Sequence, residues 1–232
     1  MVIALVLSGG TGSRLGADIP KQYLRVQGRP VLLYCMETLH KSPVIDAVQI
    51  VAAQEWQEEI GSWLEAYGLA EKFRGFSLPG ENRQLSILHG LTDIRQYVEE
   101  DDLVLIHDAA RPLLSQQLIA DCAEAIRGHD GVLPVLPMKD TVYFSEDGRQ
   151  ITSLLDRQAV FAGQAPELFR LGTYYQANER LLPEEILRIN GSTEPAVLAG
   201  MQIAMVPGDE RNFKITTQAD LERFRQIVEN EA

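Results

Sequence analysis

Short apolar runs alternate along the chain with segments in which apolar residues recur at helical intervals. The apolar runs predict buried strands at 3–7, 47–53, 103–106, 131–136 and 202–206. The helical intervals predict helices at 30–39, 57–67, 82–97, 116–127 and 174–182, and a closing helix that begins with a capping box of Thr217 and Asp220. Because strands and helices alternate, we predict one α/β domain over residues 1–232, a mostly parallel sheet with helices on both faces.

The alternation is interrupted over residues 139–161. Two β-prone segments, 141–144 and 150–155, flank the sequence Ser145-Glu-Asp-Gly148, whose Asp-Gly pair is typical of a hairpin turn. We therefore predict a β-hairpin arm that projects from the domain.

Composition and charge exclude several classes of protein. The 232 residues are 45% apolar and 23% charged, as in an ordinary globular protein. The net charge is −12, and the sequence shows no basic stripe of the kind that binds nucleic acid. No apolar run approaches the ~20 residues of a membrane span, and the N-terminus lacks a basic leader. We therefore expect no membrane or nucleic-acid partner and a cytoplasmic location, with Cys35 and Cys122 as free thiols.

The loop Ser8-Gly-Gly-Thr-Gly-Ser-Arg14 follows the first predicted strand, and Lys21 comes shortly after it. Glycines at such a position let backbone N–H groups approach phosphates closely. The spacing matches neither a P-loop nor the dinucleotide-binding glycine pattern, and two nearby cations suit a triphosphate. The alternative is a tight turn with basic residues on the surface.

Three other segments carry candidate residues. His107-Asp108 ends the third buried strand, where Asp108 could hold Mg²⁺ or merely cap a turn, and His107 is expected to pack in the core. Arg83 and Ser86 lie one turn apart at the start of a helix, within reach of a base or phosphate, although a helix N-cap explains Asn82 equally well. Lys214 lies between the last strand and the last helix, where a solvated surface role is the simpler expectation.

All the candidate cations, Arg14, Lys21, Arg83 and Lys214, fall after predicted strands, as does Asp108. A parallel sheet gathers such loops at one edge, where ligands bind. An acidic protein that concentrates basic residues there is suited to a polyphosphate and a metal ion.

The same segments form an ordered set of motifs. They are Gly9-Gly-Thr-Gly-Ser-Arg14 with Pro20-Lys21-Gln22, Arg83-x-x-Ser86, His107-Asp-Ala-Ala-Arg-Pro112, Asp140-Thr141, Gln164-x-Pro166 and Asn212-x-Lys214-Ile-Thr216. Together they resemble the cytidylyltransferases that activate polyol phosphates, from the first strand to the last helix.

The resemblance implies a Rossmann-like fold and a homodimer in which each hairpin arm embraces the other subunit. It implies that Arg14, Lys21 and Lys214 bind and neutralise the phosphates of CTP as catalytic residues, and that Asp108 holds Mg²⁺. The nucleotide-binding residues that it implies are Ser8, Gly9, Gly10, Gly12, Arg83 and Ser86. It assigns the polyol phosphate to Thr141 and Arg157, reaching the partner's site.

The activity so implied is transfer of CMP from CTP to a polyol phosphate, with release of pyrophosphate. We expect 2-C-methyl-D-erythritol 4-phosphate, an isoprenoid precursor, as acceptor, and keep ribitol 5-phosphate as the alternative. A pyrophosphorylase that uses UTP or GTP, and a non-catalytic nucleotide-binding paralogue, also remain open.

Three segments depart from the family pattern. Ser8-Gly9 replaces Ala-Ala, Gln164-Ala-Pro-Glu167 replaces Gln-Thr-Pro-Gln, and Gly191-Ser-Thr-Glu-Pro-Ala196 replaces Thr-Asp-Asp-Ala. The last change alters charge placement and backbone freedom near the site, and so bears on the choice of acceptor.

Overall fold

One mixed sheet of eight strands forms the centre of the protein's described part. The structure is a computed structural model, and it describes residues 1–10 and 19–231. In chain order the strands are β1 (Val2–Leu7), β2 (Arg25–Val26), β3 (Arg29–Pro30), β4 (Ala47–Val51), β5 (Phe73–Ser77), β6 (Leu103–Asp108), β7 (Gly131–Pro137), β8 (Tyr143–Phe144), β9 (Ser153–Leu154), β10 (Phe161–Gly163), β11 (Glu167–Arg170) and β12 (Ile203–Pro207). The helices are α1 (Val31–Lys41), α2 (Gln54–Ala66), α3 (Arg83–Ile94), α4 (Gln116–Ala125), α5 (Leu171–Glu179), α6 (Glu194–Leu198) and α7 (Gln218–Glu231), with 3-10 turns at Lys21–Tyr23, Arg157–Ala159 and Glu185–Arg188.

The sheet is mostly parallel, as predicted. β5, β4, β1 and β6 are adjacent and parallel, and β12 is parallel to β7 at the far edge. Between β6 and β7 lies β11, antiparallel to both, and β10 continues along the same edge of β7. The β11 register places Glu167 opposite Ile106, beside the end of β6 that carries Asp108.

Alternate residues of the central strands face opposite layers of helices, because side chains of a strand point to the two sheet faces in turn. On β1, Ala4 and Val6 pack in the cluster that contains apolar residues of α1, α2 and α4. Ile3 and Leu5 pack in the cluster that contains residues of α3, α5 and α6. Helices on both faces of the sheet are therefore confirmed.

Three strands of the central sheet were not predicted from the sequence. β5 has a weak apolar pattern, Phe73-Arg-Gly-Phe-Ser77, with Gly75 at a φ of 149°. β10 and β11 are only three and four residues long, and Pro166 separates them, so no continuous apolar run marks either. Their strand conformation depends on pairing with β6 and β7.

The predicted hairpin is present as a separate two-stranded sheet. β8 and β9 pair antiparallel, with Tyr143 opposite Leu154 and Phe144 opposite Ser153. Both strands are exposed along their whole length. Their side chains therefore lie outside the packed core of the protein.

The prediction of free thiols is also confirmed. Cys35 and Cys122 are free and buried, and burial raises the pKa of each thiol to about 12. Within the described residues, no helix is both long and apolar enough to cross a membrane.

The capping box at the start of α7 is formed as the sequence predicts. The Thr217 hydroxyl accepts a hydrogen bond from the Asp220 backbone N–H, and the Asp220 carboxylate accepts from the backbone N–H and hydroxyl groups of Thr216 and Thr217. Partial burial would raise the pKa of Asp220, but these hydrogen bonds lower it from 3.8 to about 2.

We expect Asp220→Ala to lower the free energy of unfolding by about 1 kcal/mol at neutral pH, the usual value of a lost cap. A carboxyl group whose pKa is depressed in the folded state stabilises the fold above its unfolded pKa. The difference between wild type and variant should therefore shrink as the pH falls from about 4 towards 2. Urea unfolding across this range measures it, with the exposed Gln226→Ala on the same helix as control; a pH-independent difference would contradict the assignment.

Candidate active site

A cleft of about 700 Å³ opens at the carboxyl ends of β1, β4 and β6, where Leu7, Val51 and Asp108 contribute to its wall. The predicted site residues that line it are Gly9, Gly10, Lys21, Arg83, Ser86, Asp108 and Lys214. The structure thus brings together residues that are up to 205 positions apart in the chain, as the parallel sheet predicts. Gly12 and Arg14 lie outside the described residues.

Asp108 is the centre of the charged groups in this cleft. Its Oδ1 accepts hydrogen bonds from Nε and Nη2 of Arg83 at 3.2 and 3.1 Å. Its Oδ2 lies 3.1 Å from Nζ of Lys214 and 3.4 Å from Nε of Arg111. One buried carboxylate is therefore shared by three cations.

These cations determine the ionisation of Asp108. Burial alone would raise the pKa of the carboxyl group, but Arg83, Lys214 and Arg111 outweigh it and hold the pKa well below its usual range. Asp108 is therefore a carboxylate throughout the physiological pH range. The three cations outnumber the two carboxylates beside them, those of Asp108 and Glu167, so the local charge is positive despite a net charge of −12 for the chain. Such a field attracts polyanions to the cleft.

The start of the glycine loop is held by the neighbouring 3-10 turn at Lys21–Tyr23. Gln22, which is buried, donates hydrogen bonds from Nε2 to the carbonyl oxygens of Ser8 and Gly10, at 2.7 and 2.8 Å. Gly9 permits a close approach, because a Cβ at this position would lie 2.7 Å from Cβ of Pro79. The backbone at Gly9 and Gly10 is therefore fixed at the cleft wall.

Ser8 lies directly behind this wall. Its backbone N–H donates to the carbonyl of Val51, and its carbonyl oxygen accepts from Gln22 and from the Tyr23 hydroxyl. Its own hydroxyl donates to Tyr23 at 3.0 Å. These bonds support the glycine loop, while the predicted role of Ser8 in base recognition stays a prediction.

The amino end of α3 forms another wall. Asn82 caps the helix by accepting from the Leu85 backbone N–H at 2.8 Å, one of the roles considered from the sequence. The Ser86 hydroxyl accepts from the Gly80 N–H at 2.9 Å and donates to the Asn82 carbonyl at 2.8 Å. Arg83 extends from the first residue of the helix, where the positive end of the helix dipole adds to its own charge.

A second buried carboxylate lies beside Arg83. Oε2 of Glu167 is 3.9 Å from Nη2 of Arg83, and Oε1 accepts a 2.5 Å hydrogen bond from the Ser192 hydroxyl. Burial raises the pKa of Glu167, although Arg83 and Ser192 oppose the rise. The sequence marked this residue only as a departure from a family motif.

The two residues predicted to bind the acceptor lie on the arm rather than in the cleft. Thr141 is exposed just before β8, and Arg157 is exposed at the start of a 3-10 turn. Arg157 donates a hydrogen bond to the carbonyl of Lys139 at the base of the arm, at 2.8 Å. The structure describes one protomer, so their predicted role in a partner's site remains a prediction.

His107 is a core residue, as expected. It is fully buried, its Nε2 lies 3.0 Å from the Arg111 carbonyl, and burial lowers its pKa to about 4. The sequence reasoning did not select Arg111 or Gln22, although both occur in the quoted motifs. Arg111 could have been found from its position three residues after Asp108, which brings its guanidinium to the carboxylate.

The sequence matches one protein family over nearly the whole chain, in agreement with this arrangement of cations, glycine loop and carboxylate. The family model of 2-C-methyl-D-erythritol 4-phosphate cytidylyltransferase matches residues 2–230. The chain belongs to this family. Its members are cytidylyltransferases, a class of nucleotidyltransferase.

Individual relatives cover the chain from end to end. The 2-C-methyl-D-erythritol 4-phosphate cytidylyltransferase of Geobacter metallireducens is 35% identical, over 95% of this chain and 94% of its own length. The ribitol-5-phosphate cytidylyltransferase of Lacticaseibacillus paracasei is 26% identical, over 98% of both chains. The crystal structure of 4-diphosphocytidyl-2C-methyl-D-erythritol synthase from Anaerococcus prevotii has a TM-score of 0.84 and 25% identity, covering 99% of this chain and 96% of its own.

We expect Gln22→Ala to raise the KM for CTP about tenfold, because it removes two hydrogen bonds, each worth about 1 kcal/mol, that fix the glycine loop. The kcat should change much less, since both hydrogen bonds of Gln22 go to the backbone of the loop rather than to a reacting group. Steady-state kinetics measure both constants. The matched control is Gln116→Ala, which removes a similar side-chain bond to the Thr38 carbonyl on the surface; an unchanged KM in Gln22→Ala would contradict the supporting role.

Proposed function

We propose that this protein transfers CMP from CTP to 2-C-methyl-D-erythritol 4-phosphate and releases pyrophosphate. The observation that carries the proposal is the meeting of Lys21, Arg83, Lys214 and Asp108 in one cleft beside a fixed glycine loop. The free, buried thiols of Cys35 and Cys122 are compatible with work in the reducing cytoplasm, which we propose as its location.

In the proposed reaction, a phosphate oxygen of the acceptor attacks the α-phosphorus of CTP. A new P–O bond forms as the bond to the bridging oxygen of the β-phosphate breaks, and the pyrophosphate leaves with that electron pair. The acceptor phosphate is already an anion, so the cleft needs no general base. The protein's contribution is therefore positioning and charge stabilisation, from Lys21, Lys214 and, by family resemblance, Arg14.

We propose Mg²⁺ as the metal, held by Asp108. Among residues 1–10 and 19–231, no group of three or more His, Cys, Asp or Glu side chains is arranged to hold a metal. A single ionised carboxylate beside phosphate-binding cations fits Mg²⁺, which is usually held by one or two carboxylates and the phosphates of its nucleotide. When bound, the ion would neutralise developing charge on the phosphates.

The identity of the acceptor is the more specific part of the proposal. Relatives named for 2-C-methyl-D-erythritol 4-phosphate are 35% identical to this chain, against 26% for a ribitol-5-phosphate enzyme. Ribitol 5-phosphate is kept as the second candidate, because the 191–196 segment departs from the family pattern and a full-length relative bears that name.

We also propose a homodimer formed through the hairpin arm. β8, β9 and their turn expose large apolar side chains, with Tyr143, Ile151 and Leu154 each more than half exposed. An isolated two-stranded hairpin is marginal in water, and an exposed apolar patch favours association. A second copy of the chain would cover this patch and bring Thr141 and Arg157 towards its cleft.

We expect Lys21→Ala and Lys214→Ala each to lower kcat/KM by about a hundredfold, or about 3 kcal/mol, because each removes a charge that stabilises the transition state. Pyrophosphate release with CTP and Mg²⁺ measures this, with the two polyol phosphates assayed in parallel. The control is Lys41→Ala, whose ammonium group pairs with Glu37 on α1. Undiminished turnover in both cleft variants would refute the proposed site, and turnover with ribitol 5-phosphate alone would reassign the acceptor.

Mixing two inactive variants tests the arm. Lys214→Ala damages the cleft and Arg157→Ala damages the arm, so a mixed dimer would contain one intact site built from the undamaged cleft and arm. With random exchange of subunits, half of the dimers are mixed and about a quarter of wild-type activity should return. Activity and dimer mass are measured after exchange; if no activity returns from dimers shown to have mixed, the arm does not complete a partner's site.

A further inference from the structure

Glu167 carries a buried carboxylate oxygen that the interactions described so far do not use. Oε1 is bound by the Ser192 hydroxyl, but Oε2 is buried and accepts no hydrogen bond from residues 1–10 or 19–231. A buried carboxylate oxygen without a donor is costly, and such atoms call for an explanation. Within the described part of the chain, the cation beside this oxygen is Arg83, whose Nη2 lies 3.9 Å from Oε2.

In this structure Arg83 is hydrogen-bonded to a different carboxylate, that of Asp108. Its Nε and Nη2 both donate to Oδ1 of Asp108, whose Oδ2 already faces Lys214 and Arg111. A metal ion bound at Asp108 would need carboxylate lone pairs that these cations now occupy. Arg83 would then lose its partner while the nucleotide phosphates enter the cleft.

We propose that Glu167 is a positioning residue that takes over Arg83 when Asp108 engages the metal and phosphates of bound nucleotide. The inference rests on the proposed function of the cleft. A movement of about 1 Å brings Nη2 of Arg83 within hydrogen-bond distance of Oε2. The guanidinium would then stay at the cleft wall instead of following Asp108.

The surroundings of Glu167 fit this role because they fix the carboxylate. Ser192 is buried, and its carbonyl accepts a 2.7 Å hydrogen bond from the Tyr174 hydroxyl. That hydroxyl in turn accepts from Nε2 of Gln84, the neighbour of Arg83 on α3, at 3.2 Å. Glu167 is thus held on the side away from Arg83, which leaves Oε2 directed to the guanidinium.

The test compares CTP binding with and without metal, by calorimetry, in the absence of acceptor so that no turnover occurs. Glu167→Gln keeps an oxygen for Ser192 and the shape of the side chain but removes the charge that faces Arg83. We expect it to weaken binding of CTP about tenfold in Mg²⁺, which corresponds to about 1.4 kcal/mol. In EDTA, where Asp108 still holds Arg83, the affinity should change less than twofold.

A double-mutant cycle shows whether Glu167 acts through Arg83. In the Arg83→Ala background, Glu167→Gln should cause no further loss in Mg²⁺, because the group that it positions is gone. Glu222→Gln, an exposed carboxylate on α7, is the control for loss of one negative charge. Ser192→Ala, which frees Oε1 without touching Arg83, should weaken binding about threefold in Mg²⁺ only, and it replaces Glu167→Gln should that variant fail to fold.

Equal loss in Mg²⁺ and EDTA, or a further loss in the Arg83→Ala background, would show a merely structural role and overturn the proposal. So would unchanged binding by Glu167→Gln in Mg²⁺ when wild type binds CTP. Wild-type protein that binds no CTP with Mg²⁺ would instead overturn the proposed function itself, and this inference with it.

Discussion

The site depends on one buried carboxylate that three cations share. A charge buried in the protein is tolerated only when it is paired, and Asp108 is paired with Arg83, Arg111 and Lys214 at distances of 3.1 to 3.4 Å. These partners come from α3, from the segment after β6 and from the segment before α7. The same ion pairs therefore join three separate segments of the chain at the wall of the cleft.

The parallel sheet is what makes this grouping geometrically simple. β1, β4 and β6 run in one direction, so the loops after them open at one edge, and the glycine loop and Asp108 become neighbours there. The antiparallel β11 then brings a second carboxylate, Glu167, to the same edge from its opposite end. The direction of a strand thus decides whether its amino end or its carboxyl end lies at the cleft.

The electrostatics of the cleft oppose those of the whole chain. A net charge of −12 repels nucleotides over most of the surface, but the cations around Asp108 produce a local positive field inside a partly closed cleft. This contrast is compatible with selective uptake of a polyanionic substrate.

The sequence by itself determined the fold class, because strand and helix periodicities are local. It also determined the candidate site residues Lys21, Arg83, Asp108 and Lys214, because these residues follow predicted strands in order. It missed β10 and β11, whose few residues become strands only through pairing with distant partners. Only the tertiary structure decided that Lys214 is an ion-pair partner of Asp108 rather than a solvated lysine, and that Glu167 faces Arg83. Ion pairs between residues 84 or 106 positions apart carry no local signal, since they depend on how the sheet brings chain segments together.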